Sequence, residues 1–186
     1  MRQIEIHAPE TYARMWDLRY RIYDFCWAAD HARHLKGDFV DCGVWVAAFS
    51  ASAAKYISFE QYTDKTWYML DTYESYPLEQ FNPEELAMGI DKDTPHFATT
   101  NLHAIVGETF SPYPNIKLVK GPIPDTLTQV PSTEIAYLSV DLNAAKPSVD
   151  ALEYFWPKLV KAGVVVLDDY GFQRYAAQKK ALDTWA

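Results

Sequence analysis

The residues best suited to chemistry are acids that close short apolar runs. Asp141 ends Ile135-Ala-Tyr-Leu-Ser-Val, and Asp168 and Asp169 end Gly163-Val-Val-Val-Leu. Neighbouring strands lie about 4.8 Å apart, so acids ending two such strands can converge. Converging carboxylates repel one another unless a cation sits among them. An all-oxygen set suits Mg²⁺, Mn²⁺ or Ca²⁺, whereas Zn²⁺ would recruit His or Cys. Adjacent strand residues point to opposite faces, so one of Asp168 and Asp169 must lie in the turn before Gly171. The plain alternative is three acids solvated at strand ends.

Asp71 ends the run Trp67-Tyr-Met-Leu. A carboxylate at that point can accept both hydroxyls of a ribose, and it can equally serve as a helix cap or turn residue. Asp41 stands near the end of Asp38-Phe-Val-Asp-Cys, before Gly43. A dinucleotide fingerprint needs three glycines here and only Gly43 is present, and no phosphate loop with its Lys-Ser/Thr pair occurs. NAD and nucleoside triphosphates are therefore not expected. Gly43, followed by the small Ala47, Ala48 and Ala51, admits a close approach of backbone to a ligand, or equally close helix–sheet packing. The histidines make no pairing that suggests catalysis, and Gly-x-Ser-x-Gly is absent.

The elements that must position these acids alternate. Five apolar runs, at 38–42, 67–71, 116–119, 135–141 and 163–169, are separated by helical stretches at Ala47–Ile57, about 94–109, Pro124–Gln129 and Pro147–Val160, with a last helix over Arg174–Trp185. Such alternation implies βαβ crossovers and a doubly wound, mostly parallel α/β sheet of about five strands with helices on both faces. Ligands in such sheets bind beyond the carboxyl ends of the strands, where the strand order reverses. The irregular stretch 73–93 is expected at a substrate entrance.

Residues 1–36 read as an N-terminal helical segment, with 37–186 as the sheet domain. Tyr12, Trp16, Tyr20, Tyr23 and Trp27 share one helix face, to pack on the domain or a partner subunit, or to form a lid over a ligand. Asp17 and Arg21, four apart, are placed to support each other on another face.

The 186-residue chain carries 17 Lys+Arg against 25 Asp+Glu, a net charge of −8, which argues against nucleic acid and anionic membrane as partners. Cys26 and Cys42 read as reduced thiols in a helix and a strand. The opening Met1-Arg2-Gln3-Ile4-Glu5 mixes charge into what a signal peptide would keep apolar, and no stretch reaches the ~20 apolar residues of a membrane span. A soluble, cytoplasmic protein is the expectation.

Five ordered blocks carry a more specific signal: Gly37-Asp-Phe-Val-Asp-Cys-Gly-Val44, Asp64-Lys-Thr-Trp-Tyr-Met-Leu-Asp-Thr72, Val119-Lys-Gly-Pro-Ile-Pro-Asp-Thr-Leu127, Ala136-Tyr-Leu-Ser-Val-Asp141 and Val164-Val-Val-Leu-Asp-Asp-Tyr-Gly171. In register from about Gly37 to Trp185, they resemble the macrocin O-methyltransferase family of S-adenosylmethionine-dependent methyltransferases, which implies a Rossmann-like sheet. The resemblance implies transfer of a methyl group to a hydroxyl of a small molecule, such as a sugar or polyketide glycoside. It implies that the Asp41-Cys42-Gly43 turn faces the methionine part of S-adenosylmethionine, that Asp71, with Thr72, holds the ribose, and that Gly121, Pro122 and Ile123 lie near the adenine. It also implies that Asp141, Asp168 and Asp169 bind Mg²⁺, which chelates substrate oxygens and lowers a hydroxyl pKa.

Three departures accompany the resemblance. Trp45-Val-Ala-Ala48 stands where the family commonly has Arg and Gly, and Ala47 replaces Gly freely only where φ is not positive. Asn143 stands at a second acid proposed as general base in antibiotic-sugar members, and an amide cannot take the proton. The chain ends at Ala186, before the two further strands usual in such enzymes. The expectation is a shortened chain, or a second subunit covering the Val164–Leu167 edge. The rival expectation is a weak or inactive methyltransferase-fold binding protein; a hydrolase using the same acids is a weaker one.

Overall fold

The computed structural model describes residues 18–93 and 101–186. Five strands form one parallel sheet: β1 (Asp38–Cys42), β2 (Trp67–Asp71), β3 (Ile116–Lys120), β4 (Ile135–Val140) and β5 (Leu159–Leu167), in the order β3-β2-β1-β4-β5. The order reverses between β1 and β4. Every residue of β4 is buried, as is all of β1 after Asp38, which is why these segments read as continuous apolar runs rather than alternating ones.

Helices cover both faces. On one face α1 (Arg19–Ala32), α2 (Ala48–Ile57) and α4 (Leu102–Phe110) pack over Phe39, Trp67, Met69 and Tyr137. Phe39, Phe59, Trp67 and Tyr137 form a cluster whose contacting ring centroids lie 5.0–5.4 Å apart. Edge-on and offset ring contacts add specific attraction to the ~1.5–3 kcal/mol that burying one large apolar side chain contributes. Ala28, Ala29 and Ala32 of α1 are fully buried, as are Ala53 and Ala54 of α2, and small side chains let two helices lie close together. On the other face α5 (Ala145–Phe155) and α6 (Ala176–Trp185) cover Val40, Leu70, Leu138 and Val140 with Leu152, Phe155 and Leu182. A short helix, α3 (Pro83–Ala87), lies within the connection from β2.

Several elements differ from the sequence-based expectation for identifiable reasons. The stretch Pro124–Gln129 is only a 3₁₀ turn over Leu127–Gln129, which ends at Val130, held extended before Pro131. The helix expected to reach Val160 stops at Phe155, because Pro157 cannot continue its hydrogen bonds, and β5 starts at Leu159 instead of Gly163. α3 was hidden in the irregular stretch, although Asn82 and Glu85 form a capping box with Pro83 at the first helical position. Among the described residues the aromatic stripe of α1 is left largely exposed: Tyr20, Tyr23 and Trp27 are 55%, 68% and 56% exposed, and Phe25 with the three alanines is buried instead. Tyr12, Trp16, Asp17 and the expected helical residues 94–100 lie outside the described residues.

Cys26 and Cys42 are free thiols in α1 and β1. β5 pairs with β4 along one side, and among the described residues no strand pairs with its other side. No helix among the described residues is long and apolar enough to cross a membrane.

Candidate active site

The carboxyl ends of the five strands lie level with one another. Gly121 N donates to Asp71 O at 2.9 Å, Gly43 N to Leu70 O at 2.8 Å, Asp141 N to Cys42 O at 2.8 Å and Asp168 N to Val140 O at 3.2 Å. A cavity of about 980 Å³ opens along this rim and is lined by Gly43, Asp71, Thr72, Gly121, Asp141 and Asn143, among others. Pro122, Ile123 and Asp169 also face it. Gly43 makes the rim possible: with φ +89° it lies so close to β4 that a Cβ would stand 1.9 Å from the Asp141 carbonyl oxygen.

Asp71 is heavily engaged. Its Oδ2 accepts from Val44 N at 2.6 Å and Trp45 N at 2.8 Å, and its Oδ1 from Tyr73 N at 2.6 Å. The loop after β1 reaches the acid by adopting left-handed backbone at Trp45 (φ 46°) and at Ala47 (φ 61°). Such conformations cost an L-residue roughly 1–2 kcal/mol. Position 47 therefore takes the very geometry for which glycine would be the natural choice. Thr72 Oγ1 lies 3.4 Å from both Asp71 Oδ1 and Ser75 O.

Asp41 and Cys42 are wholly buried and do not line the cavity. The Asp41 carboxylate turns beneath α2, where Oδ2 accepts from Ser50 Oγ at 2.6 Å while Oδ1 has no hydrogen-bond partner among the described residues. Burial pushes its pKa up to about 7, against the favourable influence of the Ser50 hydroxyl and other nearby polar groups. Cys42 points to the opposite face, among Leu70 and Val140, and burial raises its thiol pKa well above the usual value.

Asp141, Asp168 and Asp169 do converge, each offering an oxygen within 4.8 Å of the others. Asp141 closes β4, Asp168 follows β5, and Asp169 occupies the turn beyond. Burial raises Asp169 well above its ordinary value, and the charge of Asp141 adds to the rise. Asp141 is raised to about 6, chiefly by burial, with Arg21 opposing the shift. Among the described residues Asp169 Oδ2 is buried without a hydrogen-bond partner, and Asn143 Nδ2 donates to Asp141 Oδ1 at 3.3 Å.

One member of this rim escaped the sequence reading. Arg21 of α1 donates from Nε to Asp168 Oδ1 at 2.8 Å, its Nη2 pairs with Asp168 Oδ2, and the same nitrogen lies 3.7 Å from Asp141 Oδ2. Nothing in the local pattern links residues 21 and 168; only the sheet topology brings them together. Phe49, Tyr76, Phe81 and Phe172 add aromatic wall to the cavity. Glu74, Tyr76, Pro77, Gln80 and Phe81 come from the stretch expected to form an entrance.

Five parallel strands reversing at β1/β4, with an acid-lined crevice beyond their carboxyl ends, define a Rossmann-like α/β fold. Solved methyltransferases share it: the O-methyltransferase NovP superposes with a TM-score of 0.73 at 21% identity, over 89% of this chain and 70% of that one. CalS11, a calicheamicin methyltransferase, gives a TM-score of 0.78 at 16% identity over the same shares. The model of the family described as macrocin-O-methyltransferase (TylF) matches residues 11–184, and the chain belongs to that family. Mycinamicin III 3''-O-methyltransferase of Micromonospora griseorubida is 23% identical over 140 residues, 72% of this chain. That match takes in 55% of the relative, so the chain spans little more than half of its length.

Proposed function

We propose that the cavity binds S-adenosylmethionine beside a small hydroxylated molecule, of sugar or polyketide-glycoside type, and that the protein assists methyl transfer to a hydroxyl with Mg²⁺ held by Asp141, Asp168 and Asp169. The observation that carries this reading is one cavity bordered by Asp71, the Gly121–Ile123 turn and the acidic rim at the point where strand order reverses.

The residues present fit both groups. Asp71 has three strong hydrogen bonds already, leaving about one of its four lone-pair directions for a ribose hydroxyl until the Val44 and Trp45 amides let go. Pro122, Ile123 and Leu142 offer an apolar seat for a flat base. The orphaned Asp169 Oδ2 and the all-oxygen donor set suit a hard divalent cation. When bound there, Mg²⁺ would supply a lowered hydroxyl pKa and a fixed orientation for the substrate. Asn143 cannot accept a proton, so its role is to orient Asp141 through the amide hydrogen bond. Phe49, Tyr76 and Phe81 shield the crevice from water and offer stacking faces to a ring.

The test is release of labelled methyl from S-adenosylmethionine onto a panel of vicinal diols, with and without a chelator. Mg²⁺-dependent product that D169N fails to form supports the reading, and folded protein that transfers nothing to any acceptor counts against it. The engagement of Asp71 by the loop amides favours a second reading, a binding protein without turnover. Cofactor binding with no methyl release would select it.

A further inference from the structure

The acidic rim already holds a cation that belongs to the chain. Arg21 contacts both oxygens of Asp168, by a hydrogen bond at Oδ1 and an ion pair at Oδ2; the Asp168 side chain is only 2% exposed and the Arg21 side chain only 15% exposed. The carbon at the centre of that guanidinium lies 4.6 Å from the centre of the Phe49 ring, and Phe49 stacks on Phe25 at 4.7 Å. This is a built seat: a hydrogen bond and an ion pair to one carboxylate, a second carboxylate within 3.7 Å, and an aromatic face to carry the spread charge. The oxygens it uses are those a divalent ion would need, and an arginine keeps its charge at every working pH. A doubly charged ion within a few ångströms of the guanidinium would be strongly repelled.

We propose that Arg21 is the resident counter-ion of the rim, and that a divalent cation enters only by exchanging for its guanidinium, so that metal loading and the seating of the first turn of α1 form one equilibrium. The proposal rests on the reading of Asp141, Asp168 and Asp169 as a metal site. What the exchange frees is bounded by burial. Arg19 and Tyr20 are exposed, Leu18 provides no side-chain cap, and the buried face of α1 starts at Phe25. Leu18, Tyr20 and Arg21 all line the cavity, so release of this turn reshapes its mouth while the rest of α1 stays docked. Arg21 is thus a positioning residue that makes the metal a condition for opening the substrate side.

The experiment is a Mn²⁺ titration followed by the paramagnetic resonance of the free ion, on wild type, R21Q, R21K and D168N. Hydrogen exchange of residues 18–25 is measured beside it. An apparent affinity is reduced by the fraction of protein in the competent state, so removing the competitor should tighten Mn²⁺ binding about ten-fold or more. R21Q should show that gain, R21K a smaller one, and D168N a loss. In wild type Mn²⁺ should speed exchange over 18–25, whereas in R21Q exchange should already be fast and indifferent to metal. Equal or weaker Mn²⁺ binding in both arginine variants, while D168N loses it, overturns the exchange and leaves the metal site standing. Unchanged exchange over 18–25 in wild type at saturating Mn²⁺ also overturns it. No Mn²⁺ binding by any folded variant overturns both the exchange and the metal site. R21K preserves a positive charge and so reports on the competition if R21Q does not fold.

Discussion

Replacing Asp41 with Asn should make the protein more stable than wild type at neutral and alkaline pH. The carboxyl is wholly buried at the reversal of strand order, and burial holds its pKa at about 7 against an ordinary value of 3.8. Between those two values the native state keeps a proton that the unfolded chain has already lost, so stability falls as pH rises through this window. Each pH unit is worth about 1.4 kcal/mol, so above pH 7 an ionised Asp41 costs the native state roughly 4 kcal/mol. Asn has nearly the same shape, carries no charge, and can still meet the Ser50 hydroxyl that now bonds the carboxylate at 2.6 Å. We expect D41N to gain ~2–4 kcal/mol at about pH 8 and little near pH 4, where the native acid is already neutral. Urea unfolding across pH, read by tryptophan fluorescence, measures this directly, with an unchanged m-value as the sign of a pure stability effect. Comparing the slopes of the two proteins isolates Asp41 from Asp141 and Asp169, whose raised pKa values give slopes of the same sign in both. A variant whose stability runs parallel to wild type, or lies below it at pH 8, would refute the argument from burial.

Other perturbations test the rim itself. G43A should destabilise by ~3 kcal/mol or more in chemical denaturation, because the new Cβ meets the Asp141 carbonyl at 1.9 Å and φ is positive; a shift within error would mean the strand ends can part freely. A47G should gain roughly 1 kcal/mol by relieving left-handed strain at φ 61°, partly offset by the entropy of the unfolded glycine, and a loss on thermal unfolding would contradict the strain. N143D places a proton acceptor beside Asp141 at the cost of a like charge, so methyl transfer should rise by about ten-fold or more while stability at neutral pH falls. An unchanged rate would remove proton acceptance at position 143 from the account.

The parts of this molecule legible in its sequence are those specified by local pattern. β1 and β2 follow from runs buried on both faces, and the acids that end them or follow β4 and β5 announce the rim. α3 was legible in principle from Asn82-Pro-Glu-Glu85, but a single turn of helix inside a Pro- and Gly-bearing stretch is easily read as loop. The inward direction of Asp41 was not legible, since a strand residue's face depends on which helix lands on it. Nor was the role of Arg21: its partner lies 147 residues away, and the nearer Asp17 offered a plausible i,i+4 pairing. The engagement of Asp71 by Val44 and Trp45 likewise arises from left-handed backbone at non-glycine residues, which no propensity favours.

The central claim, that the crevice beside β1 and β4 is a nucleoside site governed by Asp71, is tested most directly by calorimetric titration of S-adenosylhomocysteine into wild type and D71N. The account predicts saturable one-to-one binding by wild type, and binding by D71N weakened by about ten-fold or more through loss of a charge-assisted acceptor. Equal binding by the two folded proteins, or none by wild type, would contradict it.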